Sequence, residues 1–385
     1  MEQSISNNNS GIRRLKCIDA FRGLALALML LCDNQGNTDR MYPQLRHAIW
    51  NGCTLADIAF PIFIIIMGMV VPYALSRRIA KSVSPLKIIV HIFGRSVGIF
   101  ALGLFLNGFP LYDLSSIRIF GVLQRIALTY LVVSCVTLVI LYAVKNKLIQ
   151  TAIQLVLALI IITVYYLLLK HVNVPEFGKG ILEQNGNLAQ YIDMKYLHGH
   201  MYTPTYDPEG ILGTLPAVGS ALFGTVVGQI LTFPTDRKML KFLGLLAFGI
   251  ITLNLANKAT IVIPFNKNLW SSSFVLLTAG IAFSVVAVLY LIMDIVNYEA
   301  LLKPFMALGR SSIVIYVVSE LIRKTLWIIP VVDMVTKDKV NLNVWITTHY
   351  IMPWSGNILD SAYFGIVYVV LWMIIMTYFY GKDLQ

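Results

Sequence analysis

The residues best suited to chemistry fall in one stretch, CDNQGNTDRMYPQLRHAIWNGCTLADIAFP, beginning at Cys32. It gathers Asp33, Asn34, His47, Trp50, Asn51 and Asp57 between two apolar runs. Histidine changes charge near neutral pH, which makes His47 a candidate general base. The plainer alternative is an interfacial histidine hydrogen-bonded to a neighbour. Asp57 enters the second apolar run with Pro61 behind it. A carboxylate carried into a bilayer edge is costly, and functional by default.

Three further sets stand apart from this loop. The string GVLQR puts Gln124 and Arg125 about two helical turns inside a later apolar run. A buried guanidinium there needs an anion, either a bound ligand or an internal carboxylate such as Glu320 or Asp57. His91 and Arg95 are four apart and share a helix face. Asp19 is the nearest acid at that depth, so the pair points to an anionic, phosphate-bearing cofactor, against the alternative that Arg95 snorkels to headgroups. YDPEGILGT, with Glu209, and PFNKNLW, with Lys267, Asn268 and Trp270, each place turn formers and polar groups ahead of an apolar run. Helix N-termini favour anions and carbonyls, although loop capping alone accounts for either string. His198 and His200 lack a third ligand and read as loop residues, so no metal is expected. Cys17, Cys32, Cys53 and Cys135 show no metal spacing and no disulfide framework.

The elements that must position these residues are membrane helices. Apolar residues make up 57% of the 385 and charged residues 13%, with mean hydropathy +0.74. A soluble protein carries roughly 25% charged residues, so this chain cannot cover a water-facing surface, and a bilayer removes the need. About ten stretches are long enough to span: 17–32, 55–75, 86–106, 117–142, 149–169, 211–233, 239–256, 270–293, 305–322 and 359–380. A half-span near Leu326–Met334 is a further candidate. The expected fold is all-α: one polytopic bundle over residues 17–381 behind a polar cytoplasmic N-terminus at 1–16. The polar start has no signal-peptide core, so the first span is expected to direct insertion.

The net charge of +11 suggests nucleic acid only until the cations are located. Arg13, Arg14 and Lys16 precede the first span, Arg77, Arg78 and Lys81 follow the second, Lys145 and Lys147 the fourth, and Arg237, Lys238 and Lys241 the sixth. With ten spans all face one side, which the positive-inside rule makes cytoplasmic together with both termini. Loops near 33–54, 171–210 and 323–358 then face the far side. Two function classes stay open on residues alone: an enzyme with an anionic cytoplasmic cofactor and a far-side site, or a transporter or sensor of a sugar or other small polar ligand. No internal repeat is visible, which favours the enzyme.

Taken in order, CIDAFRGLALALML, RHAIWNGCTLADIAFPIFIIIMG, GVLQR, YDPEGILGT and NKNLWSSSFV resemble the heparan-alpha-glucosaminide N-acetyltransferase family, from about Arg14 to near the C-terminus. The general acyltransferase-three family shares an aspartate- and arginine-bearing first helix but lacks HAxWNG and YDPEGILGT. The resemblance implies acetyl transfer from cytoplasmic acetyl-CoA, a co-substrate, to the amine of a glucosamine-type sugar across the membrane. His47 then matches the catalytic histidine of HAxWNG. The family's active-site asparagine falls on Asp33 counted from FRG, and on Asn34 if the NxG pattern is kept. Asn34 is expected, because an amide can donate to a thioester carbonyl. Asp57 is expected to orient His47 or hold the sugar ammonium, with Trp50, Asn51, Glu209, Asn268 and Trp270 as further substrate residues. Arg95, His91, Arg125, Gln124 and Lys267 are candidates for the CoA end. The animal enzyme's luminal domain and leading span are not matched, so a bacterial cytoplasmic membrane is expected, and the resemblance implies a homodimer.

Overall fold

All ten apolar stretches are helical in the computed structural model, which describes residues 16–37, 39, 41–235, 237–333, 339–355 and 359–380. Arg13, Arg14 and most of the polar N-terminus lie outside the described residues. In chain order the helices are α1 (Lys16–Asp33), α2 (Leu55–Ala80), α3 (Pro85–Gly108), α4 (Val122–Ala143), α5 (Lys147–His171), α6 (Leu188–Leu197), α7 (Thr214–Leu231), α8 (Lys238–Ala259), α9 (Ser272–Tyr290), α10 (Lys303–Arg310), α11 (Ser312–Ile328), α12 (Leu342–Ile346), α13 (Met352–Ser355) and α14 (Asp360–Tyr380). Among the described residues, α2–α5, α7, α8, α9 with its short extension to Ile295, and α14 are long and apolar enough to cross a membrane. The protein is an all-α polytopic membrane protein. α1 carries Lys16, Asp19, Arg22 and Asp33 in 18 residues and runs through the interior, packed on α2, α10 and α14.

The ninth stretch is not the straight span that its hydropathy suggests. Residues Ala300–Arg310 and Ser312–Ile328 meet at 74°. The break falls at Gly309-Arg310-Ser311-Ser312, the small and hydroxylated residues at which helices kink. Among the described residues no half-span is found near Leu326: α11 ends at Ile328, and Pro330–Val332 (β3) pairs antiparallel with Lys339–Asn341 (β4). Met334 lies outside the described residues. The loop from 172 to 213 holds α6 and a two-residue hairpin, Asn173–Val174 (β1) with Gly178–Lys179 (β2).

Lipid gives helices no hydrophobic reason to associate, so close backbone approach must supply the packing. α2 and α7 use glycine for this. A Cβ on Gly68 would lie 2.0 Å from the Ala221 carbonyl oxygen, one on Gly224 2.0 Å from that of Ile65, and one on Gly228 2.1 Å from that of Met69. α2 is buried along most of its length, from Ala56 to Leu75. α3, α5, α8 and α14 keep most of their surface exposed and form the lipid-facing rim.

Candidate active site

The turn into α2 builds the chemical centre. Thr54 precedes the helix and Asp57 is its third residue, the spacing at which an N-terminal carboxylate folds back on exposed amides. Asp57 Oδ2 accepts the N–H groups of Thr54 (3.0 Å) and Ala48 (3.1 Å) and the Thr54 hydroxyl (3.0 Å). Oδ1 is left for His47, whose Nδ1 lies 2.9 Å away. An ionised carboxylate only accepts, so Nδ1 carries the hydrogen and Nε2 presents its lone pair. Asp57 is buried while His47 is half exposed. The imidazole is therefore held from behind and open in front, as a general base requires.

Lys267 completes the centre from the loop between α8 and α9. Its Nζ lies 3.2 Å from His47 Nδ1, 3.4 Å from Nε2 and 3.9 Å from Asp57 Oδ1. The ammonium is thus within reach of both ring nitrogens. The two loops are stitched together: Gly52 N donates to Phe265 O (2.8 Å), Asn266 Nδ2 to Asn51 Oδ1 (3.1 Å) and Asn268 Nδ2 to Ile49 O (3.4 Å). Lys267, expected at the CoA end, is brought to His47 instead.

These groups open into an outer cavity of about 750 Å³ whose lining includes Asp33, His47, Lys267, Asn268, Arg118, Glu209, Glu320, Arg323 and Lys324. Asn34 turns away from it. Its backbone continues the α1 pattern onto Leu30 O (3.1 Å), and its amide donates to Leu30 O (2.9 Å) and Ser319 Oγ (3.3 Å). Asp33 faces the cavity in its place. YDPEGILGT folds inward: Arg118 donates to both Asp207 oxygens (2.8 and 2.6 Å) and to Glu209. Burial would raise the Glu209 carboxyl, but Arg118, then Arg125 and Lys267, hold it below the usual range. Trp50 lies at the same end, donating to Leu182 O (2.9 Å) with its ring edge-to-face on Tyr206.

Three expected ligand residues are buried in packed surroundings. Trp270 is fully buried, donates to Ser220 Oγ (3.0 Å) and lies against Phe60. Arg125 is fully buried with its guanidinium over the Trp270 ring at 4.8 Å and one nitrogen on Gly210 O (3.3 Å). Gln124 is buried against Gly103 and Gly121. Neither Gln124 nor Arg125 is among the residues lining the two large cavities. Arg125 meets an aromatic face and a carbonyl directly, with the Glu209 and Asp207 carboxylates acting on it through space. Of the HGH pair, His200 donates through Nδ1 to Ile117 O (2.8 Å), a structural bond. The four cysteines are free thiols.

A second cavity, about 440 Å³, opens toward the other end of the bundle. His91 and Arg95 line it together, as their spacing suggests, and Arg22, Arg78 and Arg310 join them. Arg78 lies 2.8 Å from His91 Nε2, and Arg95 rests 5.1 Å from the Tyr130 ring centre. Asp19 approaches Arg22 at 3.7 Å. Arg22, on α1, and Arg310, at the bend after α10, escape sequence reading because they reach this cavity from distant positions in the chain. The inner lining reaches Phe63 on α2 and Ile126 on α4, and the outer lining reaches Phe60 and Val122. The partition between the cavities is thus three or four residues of helix, roughly 5 Å.

Residues 14–244 match the family model described as heparan-alpha-glucosaminide N-acetyltransferase, catalytic. The chain is 30% identical over 364 residues to the mouse (Mus musculus) heparan-alpha-glucosaminide N-acetyltransferase, covering 81% of this chain and 54% of the relative. It is likewise 30% identical over 358 residues to the human (Homo sapiens) protein of that name, covering 80% and 53%. The chain spans about half the length of these curated relatives.

Proposed function

The chain belongs to the heparan-alpha-glucosaminide N-acetyltransferase family, and on that premise we propose that it transfers the acetyl group of acetyl-CoA to the amine of a glucosamine-type sugar, the two substrates entering from opposite membrane faces. One observation carries this reading: a basic cavity and a His47 cavity lie end to end inside one bundle, about one helical turn apart. The inner cavity suits the donor. Its four guanidiniums match phosphate groups in charge and fork geometry, and its apolar inner wall suits an acyl arm. The basic loops at Lys81, Lys145 and Lys238 lie at this end and argue that it is cytoplasmic.

In the proposed reaction Asp57 holds the His47 tautomer, and His47 Nε2 takes the proton of the attacking amine. Asp33, facing the same cavity, is suited to hold the acceptor ammonium, which gives one proton to water to expose its lone pair. The proton that His47 takes is the second, lost as the C–N bond forms. The test is purified protein in detergent with labelled acetyl-CoA and a panel of amino sugars. Release of CoA thiol together with a labelled N-acetyl sugar, without any gradient, is the expected result. Binding or movement of intact sugar with no thiol released would return the chain to the transporter or sensor class.

A further inference from the structure

Lys267 is a cation with an unusual position for a binding residue. Its side chain is 14% exposed, and its loop is held to the His47 loop by the three hydrogen bonds from Gly52, Asn266 and Asn268. Arg46 also lines the outer cavity; of the remaining cations there, Arg118 is engaged by Asp207 and Glu209, Arg323 by Glu320, and Lys324 by the carbonyls of Leu106 and Phe109. Unlike these three, Lys267 contacts the imidazole.

The charges around His47 change in a way that suits one state of the reaction. With neutral His47, Asp57 and Lys267 cancel. Once His47 takes a proton the trio carries +1 in a partly buried site, and a nearby negative charge becomes favourable. Acyl transfer generates one at that moment. The amine lone pair attacks the thioester carbon, the C–N bond forms, the C=O π pair moves onto oxygen, and His47 Nε2 receives the N–H proton. On collapse the pair returns, the C–S bond breaks, and the departing sulfur takes the proton from His47.

We propose that Lys267 is a catalytic residue whose ammonium stabilises the tetrahedral oxyanion beside His47, a role that rests on the acetyl-transfer reading above. The ammonium meets a neutral carbonyl in the ground state and an oxyanion in the transition state. That difference is the condition for accelerating the step. The role left open by Asn34, turned toward Ser319, passes to a cation.

The test is steady-state thiol release by Lys267→Met, which removes the charge and is one atom shorter. The expected result is a fall in kcat of about 10²–10³-fold, with KM for acetyl-CoA and for glucosamine each within about threefold of wild type. Lys267→Cys should be similarly impaired. It should regain at least about a tenth of the lost turnover after 2-bromoethylamine rebuilds an ammonium of lysine length, with treated wild type as the control for Cys32 and Cys53. A misfolded variant would show no such rescue. An active wild type with undiminished Lys267→Met overturns the proposal alone. So does a rise in KM for acetyl-CoA at constant kcat, or a Cys variant that alkylation leaves inactive. Wild type releasing no thiol with any amino sugar overturns the acetyl-transfer reading and this role with it.

Discussion

His47 and Asp57 act as one unit, since the carboxylate fixes which nitrogen faces the cavity. His47→Ala should lower turnover at least about 10²–10⁴-fold while acetyl-CoA binding persists; isothermal titration beside a thiol assay checks both. The neighbouring pair is a sharper test. Counting from FRG and keeping the NxG pattern point to residues one position apart, and one position turns a helical side chain by about 100°. Packing resolves what spacing leaves open: Asp33 faces the cavity and Asn34 faces Ser319. Asp33→Ala should therefore reduce kcat/KM for the sugar more than Asn34→Ala. Asp193 makes a different prediction. Burial is the main force raising its carboxyl to about 7, with Asp207 adding to it against the hydrogen bond from Ile211 N. The folded protein then binds a proton that the unfolded chain, with the usual carboxylate value near 3.8, gives up. Stability from this group is present at low pH, declines as pH rises from about 4 to 7, and is flat above. Asp193→Asn should remove that slope from melting temperatures measured across this range.

At the scale of elements, helix identity was legible because twenty apolar residues in a row have few other destinations. The 74° break was not legible as a break, since Gly309 to Ser312 interrupts hydropathy too briefly. Helix contacts were hidden as well. Nothing local separates Gly224, pressed on the Ile65 carbonyl, from Gly244, where an added Cβ would meet no neighbouring element within 4 Å. Gly224→Ala should cost about 1–3 kcal/mol or more, because the clash is with backbone and cannot be relieved by a rotamer. Gly244→Ala should be neutral or mildly stabilising through the unfolded chain. Thermal melts of the two variants in one detergent decide it.

For the whole molecule, membrane placement and the His47 loop could be read from composition and motif, but the division into two cavities could not. Arg22, Arg78, His91, Arg95 and Arg310 come from four different helices, and no spacing rule links them. If this cluster holds the donor, Arg95→Ala should weaken acetyl-CoA binding markedly more than sugar binding. Arg95→Lys should recover part of the loss and His91→Ala should show a smaller effect; titration of the purified variants reads all three. Cysteines introduced at Lys145 and at Asn185, both exposed, should label from opposite faces of intact cells. The thin partition between Phe60 and Phe63 also has an electrical meaning. Where electrolyte fills both cavities, nearly all of the transmembrane voltage falls across those few ångströms, and each unit charge crossing them does work of about 2.3 kcal/mol per 100 mV. If His47 hands the amine's proton to the departing sulfur, an acetyl group goes one way and a proton the other, and no net charge passes. Turnover in sealed vesicles should then be indifferent to an imposed potassium diffusion potential. A rate that follows the potential would mean that the sulfur draws its proton from the donor side.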